Sequence, residues 1–229
     1  MSSENQAWKD LNCEIIACRK CPRLVAWREE VARVKRRAFR DAEYWGKPVP
    51  AFGDPAARLL VIGLAPGAHG SNRTGRMFTG DASGDFLFAA LHRVGFASLP
   101  KAVSREDGLT LRDVIITAAC RCVPPDNKPT LLEMDTCRPY IQAELDLLPN
   151  IQGIIALGSI GFQTALTIYR QRGATVAALK FGHGVSYSLG NNYPWLMGSY
   201  HPSQQNTQTG RLTVAMFDAI WQTAREKLI

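Results

Sequence analysis

The stretch "RLLVIGLAPGAHGSNRTGRMFTGDASG", residues 58–84, joins a run of branched apolar residues to a loop that carries six glycines between Gly63 and Gly84. The apolar run lacks the alternation of a half-exposed strand, so it predicts a strand covered on both faces. Glycine in a loop costs conformational entropy. So many in one loop imply tight turns or close approach of the backbone to a ligand. A phosphate-cradling loop is the first candidate, because four residues separate Gly70 from Gly75. That motif continues with Lys and then Ser or Thr, whereas Arg76 and Met77 stand here, and the P-loop reading fails.

Three further runs share the apolar character: "DVIITAA" from Asp113, "GIIALG" from Gly153 and "PWLMGSY" from Pro194. Helical patterns over 84–94, 130–147 and 159–170 separate them, which predicts a parallel sheet between helix layers. Ligands of such sheets lie outside the carboxyl ends of the strands. The segments found there are the glycine-rich loop, "CRCVPPDNKPT", "GSIGFQT" and "HPSQQNTQTGRLT", so polar chemistry gathers at one edge. Ahead of the sheet, "RLVAWREEVARVKRRAFRDAEYW" predicts one amphipathic basic helix over 23–45. Its run from Lys35 to Arg40 is by default a solvated face.

With 229 residues, 46% hydrophobic and 21% charged, the chain fits one globular domain over 1–229 with a sizeable core. A formal net charge of +7 favours a polyanionic partner. No run of eighteen apolar residues occurs, and the first residues lack the sections of a signal peptide. The expectation is a cytoplasmic protein that does not engage membranes, and a monomer.

The six cysteines are residues 13, 18, 21, 120, 122 and 137. In an intracellular chain their spacing is read as metal binding, reactivity or packing. Cys18 and Cys21 enclose two residues, a bidentate hook. Cys122 and Cys137 lie fifteen apart and do not repeat the knuckle of a zinc ribbon. Two thiolates from an N-terminal turn and two from a loop and helix could enclose an iron-sulfur cluster. Spacing leaves zinc and cluster both open, with Cys13 and Cys120 as buried spares.

"GLAPGAHGSNRTGRMFTGDASGDFL", "RCVPPDNKPT", "TCRPY" and "GSYHPSQQNTQTGRLT" resemble the motifs of the type 5 uracil-DNA glycosylases, in the uracil-DNA glycosylase superfamily. The resemblance runs from the first cysteine pair to the final helix. It implies a four-stranded parallel sheet in a three-layer α/β/α sandwich, and a [4Fe-4S] cluster on Cys18, Cys21, Cys122 and Cys137. An N-terminal cysteine-bearing segment of about 50 residues would close that site. It also implies hydrolysis of the N-glycosidic bond of uracil, and of other deaminated bases, in DNA.

Such an enzyme extrudes the base and reads its Watson-Crick edge in a pocket. The resemblance places Gly63, Ala65, Pro66, His69, Asn72 and Phe78 around the base, with Phe78 stacking on the ring. His201 is the imidazole donor to a uracil oxygen. Sister branches carry Asp or Asn where this chain has Ala65, so the pattern passes the water-positioning or sugar-stabilising role to Asp81. A helix N-cap is the other reading of Asp81 or its neighbours Ser83 and Asp85. Asn127 is a further polar candidate, although Asn beside prolines is also ordinary turn chemistry. DNA contacts fall on Arg73, Arg76 and Arg211, and on the loop with Gln204, Gln205 and Asn206, where Leu212 or a Gln is the expected wedge. The two competing classes are a non-enzymatic, metal-stapled DNA-binding module and a hydrolase of free nucleotides.

Overall fold

The computed structural model describes residues 3–176 and 178–228. In chain order the elements are α1 (Ser3–Ala17), α2 (Pro22–Val34), β1 (Phe52–Gly53), β2 (Leu59–Gly63), α3 (Ser71–Thr74), α4 (Ala82–Arg93), β3 (Val114–Ala118), α5 (Leu131–Asp146), β4 (Gly153–Leu157), α6 (Ser159–Gln171), β5 (Ser186–Tyr187), β6 (Trp195–Ser199), α7 (Gln204–Gln208) and α8 (Val214–Lys227). All four apolar runs of the sequence form strands, and the three helical patterns between them form α4, α5 and α6.

The sheet order is β1-β3-β2-β4-β6-β5. β3, β2, β4 and β6 are parallel, with Val61 opposite both Ile116 and Ile155, and Ile155 opposite Met197. Antiparallel β1 and β5 extend the edges, so the sheet has six strands and not the four expected. Two-residue strands are too short to show a periodic pattern in sequence.

Each central strand divides its side chains between two cores. Leu59, Val61, Val114, Ile116, Ile155 and Met197 pack with Leu87, Phe88 and Leu91 of α4 and Phe217 and Trp221 of α8. Leu60, Ile62, Ile115, Ile154 and Leu196 pack with Ile141 and Leu145 of α5 and Phe162, Ala165 and Ile168 of α6. Alternate residues of a strand point to opposite faces. With helices over both faces, every position becomes apolar, and the result is a three-layer α/β/α sandwich.

The basic helix is shorter than its expected 23–45 span. It ends at Val34, and Lys35 has φ 57°. Its buried positions are Leu24, Arg28 and Val31; one turn further the stripe meets exposed Val34 and half-buried Lys35, and no apolar side chain there docks on the core. Residues 44–46 instead hydrogen-bond the glycine-rich loop, Trp45 N to Arg73 O and Gly46 N to Asn72 O. Helix α1, absent from the expectations, packs on α5 through Ile15, Cys137 and Tyr140. Among the described residues no helix is long and apolar enough to cross a membrane.

Candidate active site and the cysteine-lined cavity

The loop after β2 closes on itself around Asp81. Asp81 is the N-cap of α4 and accepts the Gly84 N–H at 3.0 Å through Oδ1, which satisfies one of the orphan donors of the helix start. Its other oxygen lies over Gly67 and Gly70, and a Cβ on Gly70 would collide with the carboxylate. A Cβ on Gly84 would strike the Phe78 carbonyl. At these positions the missing side chains make room for the protein's own acid and aromatic residue. Asp81 is half-buried, and burial raises its carboxyl above the usual value near 3.8, with the Gly84 and Ser83 N–H groups opposing the rise. Capping and a desolvated carboxylate are therefore properties of the same side chain.

Phe78 sits at φ 52°, an outlier for an aromatic residue. Its ring packs on bare Gly63 and lies 5.7 Å from the His201 ring, tilted by 31°. His201 stands two residues past the end of β6. Burial alone holds its imidazole near a pKa of about 4, so it is neutral at physiological pH, and its ring nitrogens have no hydrogen-bond partner among the described residues. Asn206 Nδ2 donates to the His201 carbonyl at 2.8 Å, and the Tyr200 N–H donates to His183 Nδ1 at 3.1 Å. His183, to which the sequence assigns no role, stacks on Tyr200 with centroids 5.1 Å apart. It thereby fixes the chain beside His201, and no motif in the sequence marks that contact. Ala65, half-buried, and Pro66, buried, lie in the same loop. The Ala65 side chain has no polar atom with which to orient water.

Several expected site residues have other duties. Asn72 is buried and donates through Nδ2 to the Arg28 carbonyl of α2 at 3.2 Å, so it ties the loop to the N-terminal segment rather than lining a base pocket. His69 Nδ1 is 3.0 Å from the Tyr44 hydroxyl. Burial, with Arg36 and Arg73 nearby, lowers its pKa from 6.5. Arg73 donates to the carbonyls of His69 and Gly80 and is a brace of the loop. Arg76 is buried in a bidentate pair with Asp107, at 2.8 and 2.6 Å, so it is not available to a phosphate. Burial works against that Asp107 carboxylate, yet Arg76 and the N–H groups of Leu109, Val103 and Ser104 hold it well below the usual range.

Leu212 is 1% exposed in the core and does not present itself as a wedge. Its loop position misleads because the Leu212 N–H is anchored to Asn206 O at 3.0 Å, turning the side chain into the α8 layer. Gln204, Gln205 and Arg211 are exposed, and the Arg211 guanidinium lies 4.7 Å over the Tyr200 ring. Asn127 is exposed in a single-turn helix, Pro125–Asn127, with φ 56°. Its side chain makes no hydrogen bond within the described residues, and the turn geometry accounts for it.

A second site lies at the N-terminal segment. Cys18, Cys21, Cys122 and Cys137 line one cavity together with Leu24, Arg28, Arg121 and Tyr140. Cys21 directly precedes α2, and Cys137 lies on α5, which Arg23 clamps to α2 by a bidentate pair with Glu133 at 2.8 and 2.7 Å. Glu133 also closes a capping box with Thr130. Arg28 Nη1 donates to Cys122 Sγ at 3.0 Å, and the Arg121 backbone N–H to Cys137 Sγ at 3.3 Å. Among the described residues no three Cys, His, Asp or Glu side chains converge on a single-ion position. Cys120 is buried as expected, but Cys13 is exposed.

The sequence model described as "Uracil DNA glycosylase superfamily" matches residues 50–225. A type-5 uracil-DNA glycosylase of Mycobacterium bovis is 53% identical over 218 residues, covering 95% of this chain and 80% of its own length. A type-5 enzyme of Mycobacterium leprae is 52% identical over 95% of this chain and 94% of its own. One of Thermus thermophilus is 52% identical over 92% and 94%. With the glycine-rich loop, Asp81, Phe78 and His201 gathered at the carboxyl edge of a parallel sheet, the chain belongs to the uracil DNA glycosylase superfamily.

Proposed function

We propose that this protein is a monofunctional glycosylase that hydrolyses the N-glycosidic bond of uracil in DNA and so initiates base excision repair. The observation that carries the reading is the Phe78–His201 ring pair, 5.7 Å apart, in the same glycine-rich corner as the half-buried Asp81. An extruded pyrimidine stacks on Phe78 and turns its edge to His201. As the C1′–N1 bond lengthens, positive charge grows on the sugar and negative charge on the base oxygens. The neutral imidazole donates its one N–H to the departing anion, as a group with a pKa near 4 can do without first taking up a second proton. Asp81, poorly solvated as a carboxylate, offsets the sugar's charge and orients the water whose oxygen bonds to C1′ as the C1′–N1 bond breaks; the proton that this water loses passes by way of solvent to the base anion, which leaves as the neutral base.

In this reading Cys18, Cys21, Cys122 and Cys137 hold a [4Fe-4S] cluster. Each cysteine of a cluster binds a different iron, so its ligands stand farther apart than those of one metal ion, in keeping with four cysteines around one cavity. When bound, the cluster supplies a covalent staple of the N-terminal segment to β3 and α5. Other deaminated bases belong to the proposed substrate range, and the proposed working form is a cytoplasmic monomer that gathers on the nucleoid with its DNA.

The test is incubation with uracil-containing duplex, then alkali to break abasic sites. Strand breakage at uracil is expected; binding without base release would instead identify a DNA-binding module, and cleavage of free nucleotides alone a nucleotide hydrolase. Iron and sulfide counting tests the cluster, which stoichiometric zinc without iron would refute.

A further inference from the structure

The cysteine-lined cavity contains more buried positive charge than the protein itself neutralises. Arg28 is 2% exposed and Arg121 is 1% exposed, and both line the cavity. Arg121 has a counter-charge, since Nη2 meets Glu144 Oε2 at 2.5 Å. Arg28 lacks a close one: its nearest carboxylate oxygen, Glu29 Oε1, is 3.9 Å away and half-exposed, and the same oxygen accepts from Arg19 Nη1 at 2.5 Å. Arg28 Nη1 donates to the Cys18 carbonyl at 3.1 Å and to Cys122 Sγ at 3.0 Å. Three guanidinium atoms, Arg28 Nε, Arg121 Nε and Arg121 Nη1, have no hydrogen-bond partner among the described residues. Buried cations and donors are unfavourable without an anion or acceptor. The four cysteines surround the place where one could sit.

We propose that Arg28 and Arg121 are charge-compensating, positioning residues for an anionic iron-sulfur cluster on the four cysteines, Arg28 acting through its N–H···S bond to Cys122. The inference rests on the cluster reading above and goes beyond it, because it assigns the cluster's retention and potential to particular side chains. A [4Fe-4S]²⁺ core with four thiolates carries a net double negative charge. Glu133, the other buried carboxylate of α5, is neutralised by Arg23, so the two guanidinium groups against Glu144 leave a positive charge to meet it. Hydrogen bonds to ligand sulfur and nearby positive charge both favour the more reduced, more negative state of a cluster, and so raise its reduction potential. Arg28 also carries the carbonyl to which Asn72 is bound, so the same residue joins the cysteine cavity to the glycine-rich loop.

The experiment uses the full-length protein, purified anaerobically, as wild type, Arg28→Met and Arg28→Lys. Iron and sulfide content, the reduction potential by voltammetry, and the rate of iron loss to a chelator are measured. Arg28→Met is expected to shift the potential to more negative values and to release iron at least tenfold faster. Arg28→Lys, which keeps the charge but loses the N–H···S fork, is expected to fall between. Wild-type potential and wild-type iron release in both variants would overturn the inference while leaving the cluster itself in place. If Arg28→Met does not fold, Arg28→Lys decides, and wild-type values there overturn the role of the Cys122 bond. A wild-type protein without iron overturns the cluster reading, and this inference with it.

Discussion

Asp81 caps α4, and the proposed mechanism gives it a catalytic duty as well, two roles that its sequence neighbourhood presents as alternatives. Because asparagine caps helices as well as aspartate does, Asp81→Asn separates them. Single-turnover cleavage of a uracil duplex should fall tenfold or more, about 1.4 kcal/mol of barrier per decade, while the melting temperature stays near wild type. His201→Ala should lower the same rate at least tenfold, and wild-type rates in either folded variant would remove that residue from the mechanism. The two groups also set opposite pH dependences of stability. Folded His201 takes up a proton only near pH 4, against an ordinary 6.5, so the unfolded chain binds more protons between these values. Its contribution is present above pH 6.5 and is lost as pH falls toward 4. Asp81, raised above 3.8, contributes stability below that pH which is lost as pH rises through its folded value. Equilibrium unfolding across pH 4–6.5 should therefore show a decline toward acid that His201→Ala flattens.

At the scale of elements, ion pairs and core anchors hold the loops that bear the site. Arg76 and Asp107 join the glycine-rich loop to the segment between α4 and β3. Asp107→Asn leaves a buried guanidinium without its counter-charge and should cost about 3–5 kcal/mol in denaturant unfolding. Leu212→Ala opens a cavity beneath the loop after β6 and should cost about 2–5 kcal/mol; at a temperature where the variant is folded, it should still excise uracil from duplex. Loss of excision in a fully folded variant would return Leu212 to the DNA interface. Element type was legible in the sequence here because helices over both sheet faces require unbroken apolar runs. The end of α2 was not, because basic residues with intervening Ala and Phe continue a plausible helical pattern. Only the position of the partner layer shows that the buried stripe stops at Val31.

Across the whole molecule the net charge of +7 gives long-range attraction for a polyanion, while exposed Arg36, Arg37, Arg40 and Arg211 are available to phosphates. Binding to an abasic duplex should weaken steeply with salt, because each phosphate neutralised releases counterions. A flat salt response would contradict docking led by phosphates. Arg73 and Arg76 should contribute little to that slope, since their guanidinium groups are spent on Gly80, His69 and Asp107.

The amino-acid order by itself determined the α/β class, the four parallel strands, the edge at which polar residues collect, and the motifs that mark the family. These depend on local patterns: runs of branched apolar residues, dense glycine, and short fixed spacings. Tertiary structure alone decided which residues of those motifs remain available. Arg76, Asn72 and Leu212 stand in the same loops as Asp81, His201 and Gln204, and nothing in their spacing separates them. Their roles are set by what lies opposite in space, Asp107 for Arg76, the Arg28 carbonyl for Asn72 and the α8 core for Leu212, because burial and hydrogen-bond partners are properties of contacts between distant segments.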